Sequence, residues 1–147
     1  MSKQTSENLD GNVGADKPPL ITPEERETLK RNGRSAQDLD PVPVVKLHDP
    51  ACRASWLLTE ISPHDADVVY GLIDLSAGYP RPGQFRLSEQ EAGDHPQFQV
   101  KRDPFFEPRY PLSVYAEAAR IHGATTENEE ILEKVAERLG YEPPSDS

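Results

Sequence analysis

The sequence predicts a small α+β domain: an antiparallel sheet of three to five strands packed by a helix, with a capped helix before it and an amphipathic helix after it. Three observations carry this. Between Val42 and Leu75 lie three short runs rich in Val, Ile, Leu, Trp and Tyr, each bounded by turn residues. Residues 112–121 carry a broad apolar stripe at helical spacing. Two Thr-x-x-Glu patterns, at Thr22 and Thr126, mark helix starts.

Taken in order, residues 1–19 hold almost nothing apolar and are expected to form a disordered tail. Thr22 can cap a first helix, Pro23 suits its first position, and Glu25 completes the box. Lys30 and Arg31 suit its negative end, and Gly33 suits the residue that stops it. Leu29 is its one large apolar group, which predicts a helix lying on the surface. A loop follows from Arg34 to Asp40.

The three runs are Val42 to Leu47, Ala54 to Ile61 and Asp67 to Leu75. Residues 48–53 and 62–66 contain Pro and Asp, and so suit hairpin loops. Strict alternation puts Trp56, Leu58 and Glu60 on one face of the second run, and Leu57, Thr59 and Ile61 on the other. Both faces are largely apolar, so these strands sit centrally or are covered on each side. An antiparallel meander is expected. Residues 76–83 form a loop stiffened by Pro80 and Pro82 and bent by two glycines. A fourth strand is expected over Gln84 to Leu87, a helical turn from Ser88 to Glu91 stopped by Gly93, and a fifth strand over Phe98 to Arg102.

The second helix runs from Pro111 or Leu112 to His122, with Gly123 as its stop. Its apolar face should roof Trp56, Leu58, Tyr70 and Leu72. The third helix is expected from the Thr126 box to Leu139, with Gly140 beyond. Ile131, Leu132, Val135 and Leu139 form its narrow stripe, which needs a surface on this domain or on a partner.

The segments VVKLHDP, SWLLTEISPHDADVVYGLIDLSAGYP and KRDPFFEPRYPLSVYAEAARIHG together resemble the bacterial family catalogued as domain of unknown function 2958. ITPEERETLKRNGR is similar to that family's opening helix. The resemblance covers roughly residues 20–123, taken as a single α+β domain, and leaves 124–147 outside as an acidic helix and tail. The sequence departs from the family over SEQEAGDHPQFQV. The resemblance implies a small domain carried on plasmids and conjugative elements, with no catalytic residue to transfer.

Charge and composition narrow the function classes. The net charge is -10, and residues 124–147 set seven acidic groups against Lys134 and Arg138. An acidic chain repels phosphate backbones, which counts against nucleic-acid binding. One cysteine, Cys52, leaves no intramolecular disulfide and fits a reducing cytoplasm. No run reaches the length of a membrane span and no apolar signal core opens the chain, so a cytoplasmic protein with no membrane partner is expected.

Candidate chemistry is sparse. His48, Asp49 and Cys52 share one turn without a glycine nest, which fits an ordinary loop better than a nucleophile cluster. His48, His64, His95 and His122 lack the paired spacing of a zinc site, so no metal is expected. No phosphate loop or hydrolase motif is present, and no cofactor is expected. Glu60 and Asp74 alternate onto apolar faces, where a carboxylate must find a partner; Arg86 or Arg102 can serve. Trp56, Tyr70, Tyr79, Phe85, Phe98, Phe105 and Phe106, with Arg81, Arg86, Lys101 and Arg102, offer stacking platforms for single strands. The candidate binding residues are Trp56, Glu60, Tyr70, Asp74, Arg86 and Arg102, with the third helix's stripe as a partner surface. The expected function is that of a non-enzymatic accessory protein of a mobile element that binds an unidentified protein partner. Single-strand binding by the sheet face and acidic mimicry of DNA against a nuclease or restriction enzyme are the alternatives.

Overall fold

The structure is a computed structural model and describes residues 20–35, 40–90 and 99–141. The expected tail over 1–19, the Gly93 stop and Phe98 fall outside those residues.

The first capping box forms as its sequence dictates. The Thr22 amide donates to the Glu25 carboxylate at 2.8 Å, and the Glu25 amide donates to the Thr22 hydroxyl at 3.1 Å. Helix α1 (Pro23–Ser35) then runs through Gly33 rather than stopping there. Packing explains the glycine. A Cβ at position 33 would lie 1.8 Å from the carbonyl oxygen of Ile61, so only glycine lets this turn approach the sheet. The helix lies on the surface of the domain, as its one large apolar group indicated, but pressed close onto a strand, with Leu29 0% exposed.

The sheet comprises β1 (Val45–His48), β2 (Ser55–Ile61), β3 (Val68–Asp74), β4 (Arg81–Arg86) and β5 (Lys101–Arg102), in the order β4-β3-β2-β1-β5. All pairings are antiparallel. The expected meander of three runs is β1 to β3; β4 extends it at one edge, and β5 returns beside β1 at the other. The fourth strand starts three residues earlier than its alternation indicated, taking in Pro82 and Gly83, because β4 is an edge where a missing amide donor is tolerated. Leu87 instead opens the short helix α2 (Leu87–Gln90). The fifth strand shrinks to two residues paired with Leu47 and His48.

One irregularity rearranges the central strand. Leu58 pairs with Gly71 and Glu60 pairs with Tyr70, so Thr59 is the extra residue of a β-bulge. Its polar groups are satisfied: the Thr59 hydroxyl donates to the Tyr70 carbonyl at 3.1 Å, and the Asn32 side chain of α1 donates to the Thr59 carbonyl at 2.9 Å. The bulge flips the alternation. Ile61 joins Trp56 and Leu58 on the α1 face, and Glu60 moves to the face of Leu57 and Tyr70. The grouping expected from unbroken alternation is thus corrected.

Two cores result, one on each side of the sheet. On the first, Leu20, Ile21 and Leu29 pack on Val45, Leu47, Trp56, Leu58, Ile61 and Val69. On the second, Leu57 and Leu72 meet α3 (Leu112–His122) and α4 (Glu129–Leu139). Helix α3 therefore covers Leu72 but not Trp56 or Leu58, which lie beneath α1. Gly123 ends α3 with φ 75° and Gly140 ends α4 with φ 79°, as expected of left-handed stops. The second Thr-x-x-Glu box does not form. Asn128 caps α4 by accepting from the Ile131 amide at 3.0 Å, while Thr126 accepts from the Asn128 amide one turn earlier. Asparagine is at least as good a cap as threonine, and its position fixes the start at Glu129.

Candidate binding cleft

The bulge creates the feature of most interest. Because it turns Glu60 over, Glu60, Tyr70 and Gln84 form a row across β2, β3 and β4 on one face of the sheet. Helices α3 and α4 cover this face over Leu57 and Leu72, and Tyr70 stands at the margin of that core. Beyond Tyr70 the sheet ends in a cleft of about 380 Å³, lined by Glu60, Tyr70, Gln84 and Val68, by Ser62, Pro63 and His64 of the β2–β3 loop, and by Gly33 of α1.

Glu60 is half-buried in this cleft. Burial pushes its carboxyl above the usual carboxylate range. Among the described residues no cation and no hydrogen-bond donor is directed at it. The arginines expected to serve it are engaged elsewhere. Arg86 pairs with Asp65 at 3.2 Å and Asp67 at 3.5 Å. Arg102 makes a two-point contact with Glu25, at 3.1 Å from Nε and 2.6 Å from the terminal nitrogen, tying β5 to the start of α1. Burial opposes ionisation of Glu25, but Arg102 and the Thr22 amide outweigh it and its pKa falls.

Asp74 is not part of the cleft. It is 1% exposed and accepts from the Ser76 amide at 2.9 Å and the Thr125 amide at 2.8 Å. It is a structural clasp between the β3–β4 loop and the α3–α4 loop, satisfied by backbone donors rather than by an arginine. Asp49 acts in the same way. Its carboxylate accepts from the amides of Ala51 at 2.9 Å and Gln99 at 3.1 Å, and the first of these bonds chiefly lowers its pKa. The Cys52 side chain also bonds to it, and a carboxyl held below its usual range by these donors is a weak base toward a thiol.

The stacking platform expected on the sheet is dispersed. Trp56 is 1% exposed in the α1-side core, and among the described residues only Tyr70 of the candidate aromatics lines the cleft. Phe105 and Tyr79 are well exposed but sit on loops outside the sheet. The third-helix stripe is likewise used internally. Leu132 and Val135 are buried against α3, Ile131 packs beside them, and Leu139 alone stays 47% exposed. Tyr141 meets Tyr110 edge-on at 6.0 Å, while Lys46 pairs with Glu127 and Arg109 with Glu129. The stripe expected to seek a partner is thus docked on its own chain. On the outer side of α4, Lys134 and Arg138 interleave with Glu130, Glu133 and Glu137.

Among the described residues no group of three His, Cys, Asp or Glu side chains is placed to hold a metal, and no helix is long and apolar enough to cross a membrane. Fold and cleft together define a three-layer α+β domain with α1 on one side, α3 and α4 on the other, and, among the described residues, one end of its sheet left open. Residues 20–126 match the family described as Protein of unknown function (DUF2958), and the chain belongs to that family. The match spans the whole sheet and α3 and stops before α4. No curated protein and no solved structure matches the chain.

Proposed function

We propose that this chain is a non-enzymatic accessory protein, of the mobile-element kind implied by the family resemblance, that works by holding a partner protein at the open end of its sheet. The observation that supports this most directly is the cleft bounded by Glu60, Tyr70 and Gln84, beside a half of the same face that α3 and α4 cover completely. A polar, open recess next to a finished core offers recognition, and the Ser62 hydroxyl in its wall is bonded to the His64 backbone amide at 3.1 Å rather than to the imidazole. Among the described residues its lining carries one carboxylate, which is too few ligands for a divalent cation and has the wrong sign for a phosphate backbone. Edge strand β4 bounds it, so a partner can approach over a strand that, among the described residues, has no further strand on its outer side.

Gln84→Trp, which fills the recess from an exposed strand position, tests this reading. Tagged full-length protein should lose its captured partners with that substitution and keep them with Glu130→Ala on the outer side of α4. Identical capture by Gln84→Trp and the parent protein counts decisively against the cleft.

A further inference from the structure

We infer that the cleft recognises an arginine side chain presented by the partner protein, with the Glu60 carboxylate receiving the guanidinium, Tyr70 flanking it and the Gln84 amide beside it. This rests on the binding reading above and gives it a chemical class. Charge complementarity is the first argument. Glu60 is half-buried, faces a cavity of about 380 Å³, and has no cation among the described residues, whereas the neighbouring Asp65 and Asp67 both pair with Arg86. A carboxylate left in this state is stabilised by whatever positive group enters the recess.

The geometry of the row selects among cations. Register places Glu60 directly opposite Tyr70, and Tyr70 directly opposite Gln84, so an anionic acceptor, an aromatic ring and an amide lie side by side on one face. A guanidinium carries five donors in a rigid plane, stacks on aromatic rings and sheds water more readily than an ammonium, and this row offers it acceptors and a flat surface together. Lysine uses the charge but not the plane. The two titratable groups that share the cleft with Glu60 are Tyr70 and His64, and Arg86 on β4 is held away by Asp65 and Asp67. Because burial raises the Glu60 pKa, arginine binding should strengthen as pH rises through that value.

The experiment titrates isotope-labelled full-length protein with acetyl-Gly-Arg-Gly-amide and follows backbone amide resonances. Parallel titrations use the lysine peptide and the citrulline peptide, the neutral isostere of arginine. Saturable shifts confined to the strands around Glu60, Tyr70 and Gln84 are expected, with citrulline silent and lysine weaker. Glu60→Gln should weaken arginine binding by about tenfold or more while leaving the remaining spectrum in place. Citrulline binding as well as arginine, or shifts spread over the acidic surface and unchanged in Glu60→Gln, overturns the inference. If the arginine peptide fails while Gln84→Trp still abolishes partner capture, the arginine assignment falls and the binding reading survives. If Gln84→Trp has no effect on capture, the binding reading falls by itself.

Discussion

Glycine at position 33 shows how one missing methyl group sets the spacing of two layers. Its residue type reads as a helix stop, yet its role is contact: the Ile61 carbonyl occupies the volume a Cβ would need. Gly71 stands in the same relation to the Leu57 carbonyl, 1.9 Å from where its Cβ would be. Backbone cannot move aside as a side-chain tip can, so Gly33→Ala must lift α1 from the sheet. The expected loss is at least about 2 kcal/mol, in contrast to the small gain that the same change gives in an unobstructed helix. Denaturant titration decides the sign, and a variant as stable as the parent would show that α1 does not sit so close. Asp74 teaches the related lesson for polar groups: a buried carboxylate here is satisfied by amides from positions 76 and 125, not by any charged side chain.

Among the elements, α4 is the one whose amphipathic pattern is clearest and whose destination the pattern leaves open. Leu132, Val135 and Ala136 bury against α3, with ion pairs from Lys46 and Arg109 reaching its N-terminal end. Truncation after Thr126 should therefore destabilise the chain by roughly 3–6 kcal/mol, the transfer value of the apolar groups uncovered on both helices. Thermal unfolding of the truncated chain measures this. An unchanged midpoint would mean that α4 contributes nothing to the fold, although it lies beyond the family match. The bulge in β2 is the complementary case. Thr59 is a good strand residue, and nothing in its side chain marks it as the extra one; the Asn32 and Tyr70 contacts that hold it come from two other elements.

Across the whole molecule, ionisation pulls stability in two directions. The pKa values of Glu25, Asp49 and Asp67 are lowered by arginine, backbone amide and Ser88 contacts, the last of these chiefly from the Ser88 hydroxyl in the case of Asp67. Such groups contribute stability above their unfolded pKa values and lose it as pH falls through the folded ones. Glu60 behaves oppositely. Its folded pKa is raised by burial, so its favourable contribution is complete below the unfolded value and disappears as pH rises through the folded one. Glu60→Gln should accordingly unfold at a higher temperature than the parent at pH 7, with the difference shrinking as the solution is acidified. Melting curves across that range check it, and a difference independent of pH would place the effect in packing rather than charge. A cleft that costs the free protein stability and gains a cation on binding is a familiar compromise between fold and recognition.

The meander of the first three strands, the first capping box, the left-handed stops at Gly123 and Gly140, and the need to cover both faces of β2 were all legible in the chain, whereas the place of β5 beside β1 was not. These depend on neighbours within a few residues or on a repeating pattern, and local physics carries them. The cleft was legible only in part: Glu60 and Tyr70 stood out as candidates, but their meeting depended on the bulge, and the arginines paired with acidic groups far from them in sequence. The amino-acid sequence by itself determined which segments are extended, which are helical, and that a carboxylate would lie among apolar neighbours. The tertiary structure alone decided which face that carboxylate looks out from, because a single added residue inverts a period of two. It alone decided whether α4 is spent or free as well, because an apolar stripe specifies that it be covered and not by what.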